Sequence, residues 1–306
     1  MKNSMKKLVL CTLALLCVVD YASAQLEKER VVQFFAHRGS RFEYPDNENT
    51  MLAFRSSYER GARGFETDVR MTKDGDLILS HDESLYRTTG VDLQTEDLTT
   101  AECLKIKTKG GEPLALCQEL VDYLADKDGL YVEWEIKTVP SLYTQAMLDD
   151  LCDKLYKMAM AKRAPNSEYL FTSFDKRALR TMKRLHPDAT LMMLKDHPCT
   201  PAILMEAYDM GIMRVGCRMD GTTRGVIKLG HKLGMIVSLW PGGTKEDFLL
   251  GAALGSDAMC CDRFFEVGEW ARENMPFIRL KGIVYPDEQK CDAKAESKKC
   301  DKKAKK

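Results

Sequence analysis

The chain has 306 residues, 44% of them hydrophobic, and its 46 basic side chains balance 46 acidic ones. That length and apolar content suit one large barrel-type domain or two small ones, and exclude a chain too polar to build a core. The charge is unevenly placed. Residues 289–306 hold 8 Lys against 3 acidic residues, while 25–288 carry 35 basic and 42 acidic side chains, so the end reads as a solvated basic tail. No nucleic-acid partner is expected.

Taken in chain order, the first residues fall outside the fold. Lys2, Lys6 and Lys7 precede a 12-residue apolar run from Leu8 to Val19, and Ala22-Ser23-Ala24 follows. This is the charged start, short apolar centre and small-residue cleavage site of a secretory signal, with cleavage expected after Ala24. The run falls short of the roughly 20 apolar residues that a membrane span needs. Leu15 and Leu16 stand before Cys17 where a lipid-modified cysteine would want small residues. Export to a periplasm or the exterior is therefore expected, with no stable membrane span. Loss of Cys11 and Cys17 leaves nine cysteines, an odd number, and no Cys-x-x-Cys or Cys/His metal spacing occurs. Cys260 and Cys261 lie in an apolar run and read as small buried hydrophobes, whereas Cys291 and Cys300 in the tail could bridge.

The body, 25–288, alternates short β-rich runs with amphipathic helical stretches. Strands are expected near 31–36, 65–70, 130–136, 168–173, 190–195, 212–217, 234–239 and 257–262. Helices are expected between them, at 115–126, 141–161, 175–185, 201–210 and 222–233. Strand and helix alternating eight times over this length predict a (β/α)8 TIM barrel, ahead of a doubly wound open sheet. One segment breaks the rhythm. Asp74-Gly75 is a turn signal between apolar runs, so the chain after the second strand is expected to fold back as a β-hairpin.

Polar residues in these strands carry the chemical signal. Of five histidines, His37 and His81 each follow a strand-like apolar run, where barrel chemistry is placed. His186 and His197 precede prolines, and His231 sits in a helical stretch. In the second strand Glu66 and Asp68 are two apart and share a face. In the third, Glu133, Glu135 and Lys137 share a face, opposite Val132, Trp134 and Ile136. Buried carboxylates on neighbouring strands would repel and lose hydration unless a cation lay between them, and such oxygen ligands suit Mg2+ or Ca2+. A divalent ion to polarise a phosphoryl oxygen, Arg38 for the phosphate charge, and two imidazoles as acid and base together point to phosphodiester cleavage.

These residues resemble the glycerophosphodiester phosphodiesterase family. AHRGS from Ala36, ENT from Glu48, and FETDVRMTKDGDLILSHDESLYRTTG at 65–90 match the family's motifs in order, and the similarity continues through EIK at 135–137. It is dense from about 33 to 139. The resemblance implies a barrel with the hairpin insert and metal-dependent hydrolysis of a small glycerophosphodiester to glycerol 3-phosphate and an alcohol. It further implies His37 and His81 as the acid/base pair, Arg38 and Lys137 at the phosphate, and Glu66, Asp68 and Glu135 as metal ligands. The substrate's own glycerol hydroxyl would attack, giving a cyclic phosphate that water opens. Glu133 has no counterpart in the pattern; by parity it faces the same cavity or stands behind the ligands.

Beyond 140 the resemblance thins. Thr172-Ser173-Phe174-Asp175 and LGSDAMCCDR at 254–263 resemble later family segments, and Trp240 stands at a family tryptophan expected to touch substrate. Here Pro241-Gly242-Gly243 follows it in place of the family's polar residues, which leaves the head group open. Asp46 and Asn47 also lengthen the loop before Glu48, ahead of a helix capped near Thr50 and ended at Gly61. Two other readings stand beside this one: a phospholipase D-like activity on sphingomyelin or lysophospholipids, and a secreted binding protein that has kept the fold without turnover.

Overall fold

The computed structural model describes residues 30–288; the expected signal at 1–24 and the basic tail at 289–306, with Cys291 and Cys300, lie outside the described residues. The chain begins with β1 (Arg30–Ala36), a 3-10 turn His37–Gly39, α1 (Met51–Glu59), β2 (Gly64–Met71) and β3 (Leu77–Leu79). The short helices α2 (Tyr86–Thr89) and α3 (Thr100–Cys103) and then α4 (Cys117–Leu124) lead to β4 (Tyr131–Ile136). Regular alternation follows: α5 (Gln145–Ala161), β5 (Glu168–Ser173), α6 (Lys176–Leu185), β6 (Leu191–Pro198), α7 (Pro201–Asp209) and β7 (Arg214–Arg218). It ends with α8 (Arg224–Lys232), β8 (Ile236–Gly242), α9 (Lys245–Leu254), β9 (Ala258–Cys261), α10 (Phe264–Asn274) and β10 (Ile278–Lys281).

Eight parallel strands, β1, β2 and β4 to β9, pair in sequence, and β1 closes the ring by bonding both β9 and β2. The expected barrel is present. Asp74 and Gly75 turn the chain as anticipated: Gly75 takes φ +89°, and β3 runs antiparallel to β2 with Val69 opposite Leu79. The closing seam is tight. Arg30 to Gln33 of β1 pair with β10, so only Ala36 meets Phe65 of β2. The Gly282 carbonyl accepts from the Arg63 and Gly64 amides at 2.7 and 2.9 Å across the gap. A Cβ on Gly64 would stand 2.5 Å from the Phe34 carbonyl oxygen, and one on Gly282 would stand 2.1 Å from it, so both positions require glycine.

Threonine sets where most of the long helices begin. The hydroxyls of Thr50, Thr144, Thr200, Thr223 and Thr244 each accept a backbone N–H in the first turn of α1, α5, α7, α8 and α9. The Thr144 cap explains why α5 starts later than the pattern at 141 suggests. No helix among the described residues is long and apolar enough to cross a membrane.

Strand alternation sends one set of side chains outward against the helices, Phe34, Trp134 and Phe171 among them. The other set, including Phe35, Tyr131, Leu170, Met192 and Leu194, fills the lower barrel interior. Above that plug the inward positions turn polar. Phe34 anchors the seam, stacked on Phe264 at 4.7 Å and edge-on to Phe248 at 5.8 Å. Phe34→Ala should cost about 3–5 kcal/mol of folding free energy, measured by urea unfolding.

Candidate active site

The polar layer lies at the C-terminal ends of the strands, the usual place for chemistry in this barrel. Every residue of β2 and β4 is buried, so the parity that puts Phe65, Thr67 and Val69 against the helices forces Glu66 and Asp68 into the barrel. Register makes the two strands converge, because Glu66 lies opposite Glu133 and Asp68 opposite Glu135. After β1 the chain turns sharply. Arg38, Gly39 and Ser40 all take positive φ, at 52°, 76° and 70°, a strained run for two side-chain-bearing residues. Bonds on both sides hold it: the Arg38 amide donates to Glu66 Oε2 at 3.1 Å, and Ser57 Oγ donates to the Gly39 carbonyl at 2.9 Å.

Asp68 is fully buried at the centre. Arg38 Nε and Lys137 Nζ each lie 3.2 Å from its oxygens, and Asn49 Nδ2 donates to it at 2.8 Å. Arg38 also donates to Glu48 at 2.7 Å, and Lys137 reaches Glu135 at 2.5 Å. Burial alone would raise the Asp68 carboxyl, yet the Lys137 and Arg38 charges hold it far below its ordinary range. Glu66 goes the other way: burial, with Asp68 and Glu135 nearby, lifts it well above the usual carboxylate value. Burial and Asp68 likewise raise Glu135 despite Lys137.

Glu66, Asp68 and Glu135 each offer an oxygen, and these oxygens all lie within 4.8 Å of one another. Glu66 Oε1 is buried with no hydrogen-bond partner, while Asp68 Oδ1 and Glu135 Oε1 face only the Lys137 ammonium, at 3.2 and 2.5 Å. Three converging buried carboxylates, one of them with an unpartnered oxygen, are a donor set that fits a hard divalent cation. Glu133 lines the same cavity but is not part of that group. It accepts from Tyr131 Oη at 2.5 Å, and burial pushes its carboxyl up to about 8.

His37 and His81 both line one cavity of about 530 Å³ together with Arg38, Lys137 and Trp240. Each imidazole is oriented through Nδ1, His37 by Asp262 at 2.5 Å and His81 by Asp82 at 2.6 Å. A proton on Nδ1, assigned from the carboxylate partner, leaves Nε2 of His37 free, 3.7 Å from Glu66. Burial and the Arg38 charge lower the His37 pKa in spite of Asp262, which favours a neutral ring. Two of the other histidines take structural contacts, His186 stacked on Tyr156 at 3.8 Å and His231 bonded to Asp257.

Sequence reasoning did not single out several residues that hold this geometry. Arg87 of α2 donates to Asp82 and bidentately to Glu48, so one guanidinium braces both the His81 partner and the Arg38 partner. Asp262 reaches His37 across 225 positions in sequence. Glu48 and Asn49 were noticed within ENT, but nothing local shows that they hold Arg38 and Asp68. The far wall is less polar. Phe174 meets Trp240 edge-on at 5.8 Å, Met192 and Leu194 lie beside them, and the Trp240 indole N–H has no acceptor.

Residues 37–265 match the sequence model of the glycerophosphoryl diester phosphodiesterase family. The chain belongs to that family. A glycerophosphodiester phosphodiesterase of Caldanaerobacter subterraneus is 33% identical over 186 residues, 57% of this chain and 73% of that one. The Bacillus altitudinis protein of the same name is 29% identical over 76% of this chain and 95% of its own length. Among solved structures, an Oleispira antarctica phosphodiesterase in complex with the product sn-glycerol-3-phosphate superposes with TM-score 0.69 at 20% identity, over 78% of this chain and 95% of that one. At that identity the likeness establishes the shared barrel.

The glycerophosphodiester phosphodiesterase site thus depends on buried compensation of charge. Arg38→Met should destabilise the chain by about 3–5 kcal/mol, because Asp68, Glu66 and Glu48 lose their shared cation while staying buried. Chemical denaturation at neutral pH measures it.

Proposed function

We propose that the chain hydrolyses small glycerophosphodiesters to glycerol 3-phosphate and an alcohol, using a divalent cation and His37 and His81 as the proton-transfer pair. The observation that carries this reading is the convergence of both imidazoles, Arg38, Lys137, Glu66 and Glu135 on a single cavity, with Asp68 buried within 4.8 Å of the two glutamates, in a member of this family. Glu66, Asp68 and Glu135 would hold the cation, Mg2+ or Ca2+. When bound, it would polarise a phosphoryl oxygen and offset the charge of the phosphate.

The chain's own residues account for the remaining steps. His37 Nε2, free and neutral, takes the proton from the glycerol hydroxyl next to the phosphate as that oxygen attacks phosphorus. His81 gives a proton to the departing alcohol oxygen as the phosphorus–oxygen bond breaks, which leaves a five-membered cyclic phosphate. With roles reversed, His81 draws a proton from water and His37 returns one to the ring oxygen as water opens the ring. Attack from within the substrate needs no second molecule to be captured and oriented. Arg38 and Lys137 provide fixed positive charge beside the phosphate. Asp262 keeps His37 in one tautomer and orientation, and Asp82 holds the His81 ring in place.

The alcohol leaves toward Trp240, Phe174, Met192 and Leu194. That apolar wall is what favours the second reading, cleavage of a lysophospholipid or sphingomyelin with a bulkier group. Glycerol 3-phosphate should appear when the purified protein is given glycerophosphocholine or a similar diester, stop appearing with a chelator, and return with added Mg2+ or Ca2+. Choline released from sphingomyelin instead would favour the second reading, and no turnover with cation present would leave a binding protein on this fold.

His37→Ala and His81→Ala should each lower kcat by at least about 10²-fold while cation binding, read by calorimetry, persists. Joint loss of cation binding would mean that one of them is a ligand.

A further inference from the structure

A second donor group adjoins the carboxylates. Nε2 of His37, a carboxylate oxygen of Glu66 and Sγ of Cys260 all lie within 4.8 Å of one another. Cys260 arrives there by strand parity. It stands opposite Phe35 on β1 and shares the inward face of β9 with Ala258, whereas Cys261 points into the layer between sheet and helices. Among the described residues the other free cysteines, Cys103, Cys117, Cys152, Cys199, Cys217 and Cys261, are buried; Cys260 is the half-buried one, and it lines the catalytic cavity.

We propose that His37, Glu66 and Cys260 form a site for a thiophilic divalent cation such as Zn2+, distinct in chemistry from the all-carboxylate group and exclusive of it. Three observations support it. The set combines imidazole nitrogen, thiol sulfur and carboxylate oxygen, which selects Zn2+ over Mg2+ or Ca2+, while the oxygen-only group does the reverse. His37 is already prepared as a ligand, because its Nδ1 is held by Asp262 and its Nε2 faces the group, the carboxylate–histidine arrangement that orients metal-binding imidazoles. Glu66 Oε1 is buried and accepts no hydrogen bond.

The spacing is also close to what coordination needs. Ligands at about 2.0–2.3 Å from a tetrahedral ion stand roughly 3.3–3.8 Å apart, so the widest pair, no more than 4.8 Å apart, has to close by about 1 Å at most. His37 Nε2 and Glu66 Oε2 are already 3.7 Å apart. The fourth position would open to the cavity.

The consequence for turnover rests on the proposed function. An ion at this site occupies Nε2 of His37, so the ring can no longer accept a proton, and it draws Glu66 away from Asp68 and Glu135. Zn2+ would therefore inhibit the reaction that Mg2+ or Ca2+ supports. Sequence position alone suggests none of this, since Cys260 reads as one more apolar residue in its run.

The test uses the full chain without added Mg2+ or Ca2+ and Co2+ as a coloured probe. Wild-type protein should develop a near-ultraviolet thiolate-to-cobalt charge-transfer band that Zn2+ displaces. Cys260→Ala and Cys260→Ser, each checked for an unchanged fold, should lose the band, and His37→Ala should weaken Co2+ affinity at least about tenfold. Both Cys260 variants retain Cys291 and Cys300, so any signal from the tail survives in them. A band absent from the wild type, or undiminished in both Cys260 variants, overturns the proposal. The spectrum needs no turnover, so its failure is separate from failure of the phosphodiesterase reading.

Discussion

A fully buried carboxylate, Asp68, lies 3.2 Å from both the Arg38 guanidinium and the Lys137 ammonium, and the mouth of the barrel is built around that contact. An isolated charge at this depth would be too costly to keep. Two cations, one in the turn after β1 and one just past β4, hold it ionised, and their other contacts, to Glu48 and Glu135, fix in turn the loop after β1 and the end of β4. The strained backbone at 38–40 depends on the same network, because the Arg38 amide and side chain are anchored by separate carboxylates. Three carboxylates share two cations at the centre, and burial first, with the neighbouring carboxylates after it, raises Glu66 and Glu135. Glu66 Oε1 is left buried with no hydrogen-bond partner, an acceptor open to added positive charge.

Much of this was legible in the sequence, and the reason is parity. Strands with fixed two-residue alternation allow Glu66 with Asp68, or Glu133 with Glu135, to be placed on one face without coordinates. The Asp74-Gly75 turn specifies its hairpin locally, and Thr50 marks the start of α1. What stayed hidden is non-local. Asp262 braces His37 from the last barrel strand, and Arg87 braces Glu48 and Asp82 from a four-residue helix that no periodicity announces. The family resemblance implies a phosphate role for Lys137; in the structure its partners are Asp68 and Glu135, whose charge it offsets.

Glu133 and Cys260 show where parity needs a further coordinate. Both face inward as their strands require, but parity says nothing about height along the barrel axis. Glu133 lies one inward step nearer the apolar plug than Glu135, opposite Glu66, and there it takes a Tyr131 hydroxyl and drifts toward the neutral form. Cys260 lies one inward step below Asp262, which places its sulfur near His37 and Glu66 and not in the core.

The two donor groups therefore compete through a shared member. Glu66 belongs to both; its Oε2 accepts the Arg38 amide, and its buried Oε1 has no hydrogen-bond partner. In the proposed reaction a hard cation would recruit it toward Asp68 and Glu135 and leave His37 free for proton transfer; a soft one would recruit it toward Cys260 and consume the imidazole. The unpartnered Glu66 oxygen that would receive the proposed working cation would thus also receive the wrong one, and the donor atom at position 260 decides how strongly. Oxygen or carbon there would leave His37 and Glu66 as a weak pair, whereas sulfur completes a tridentate set.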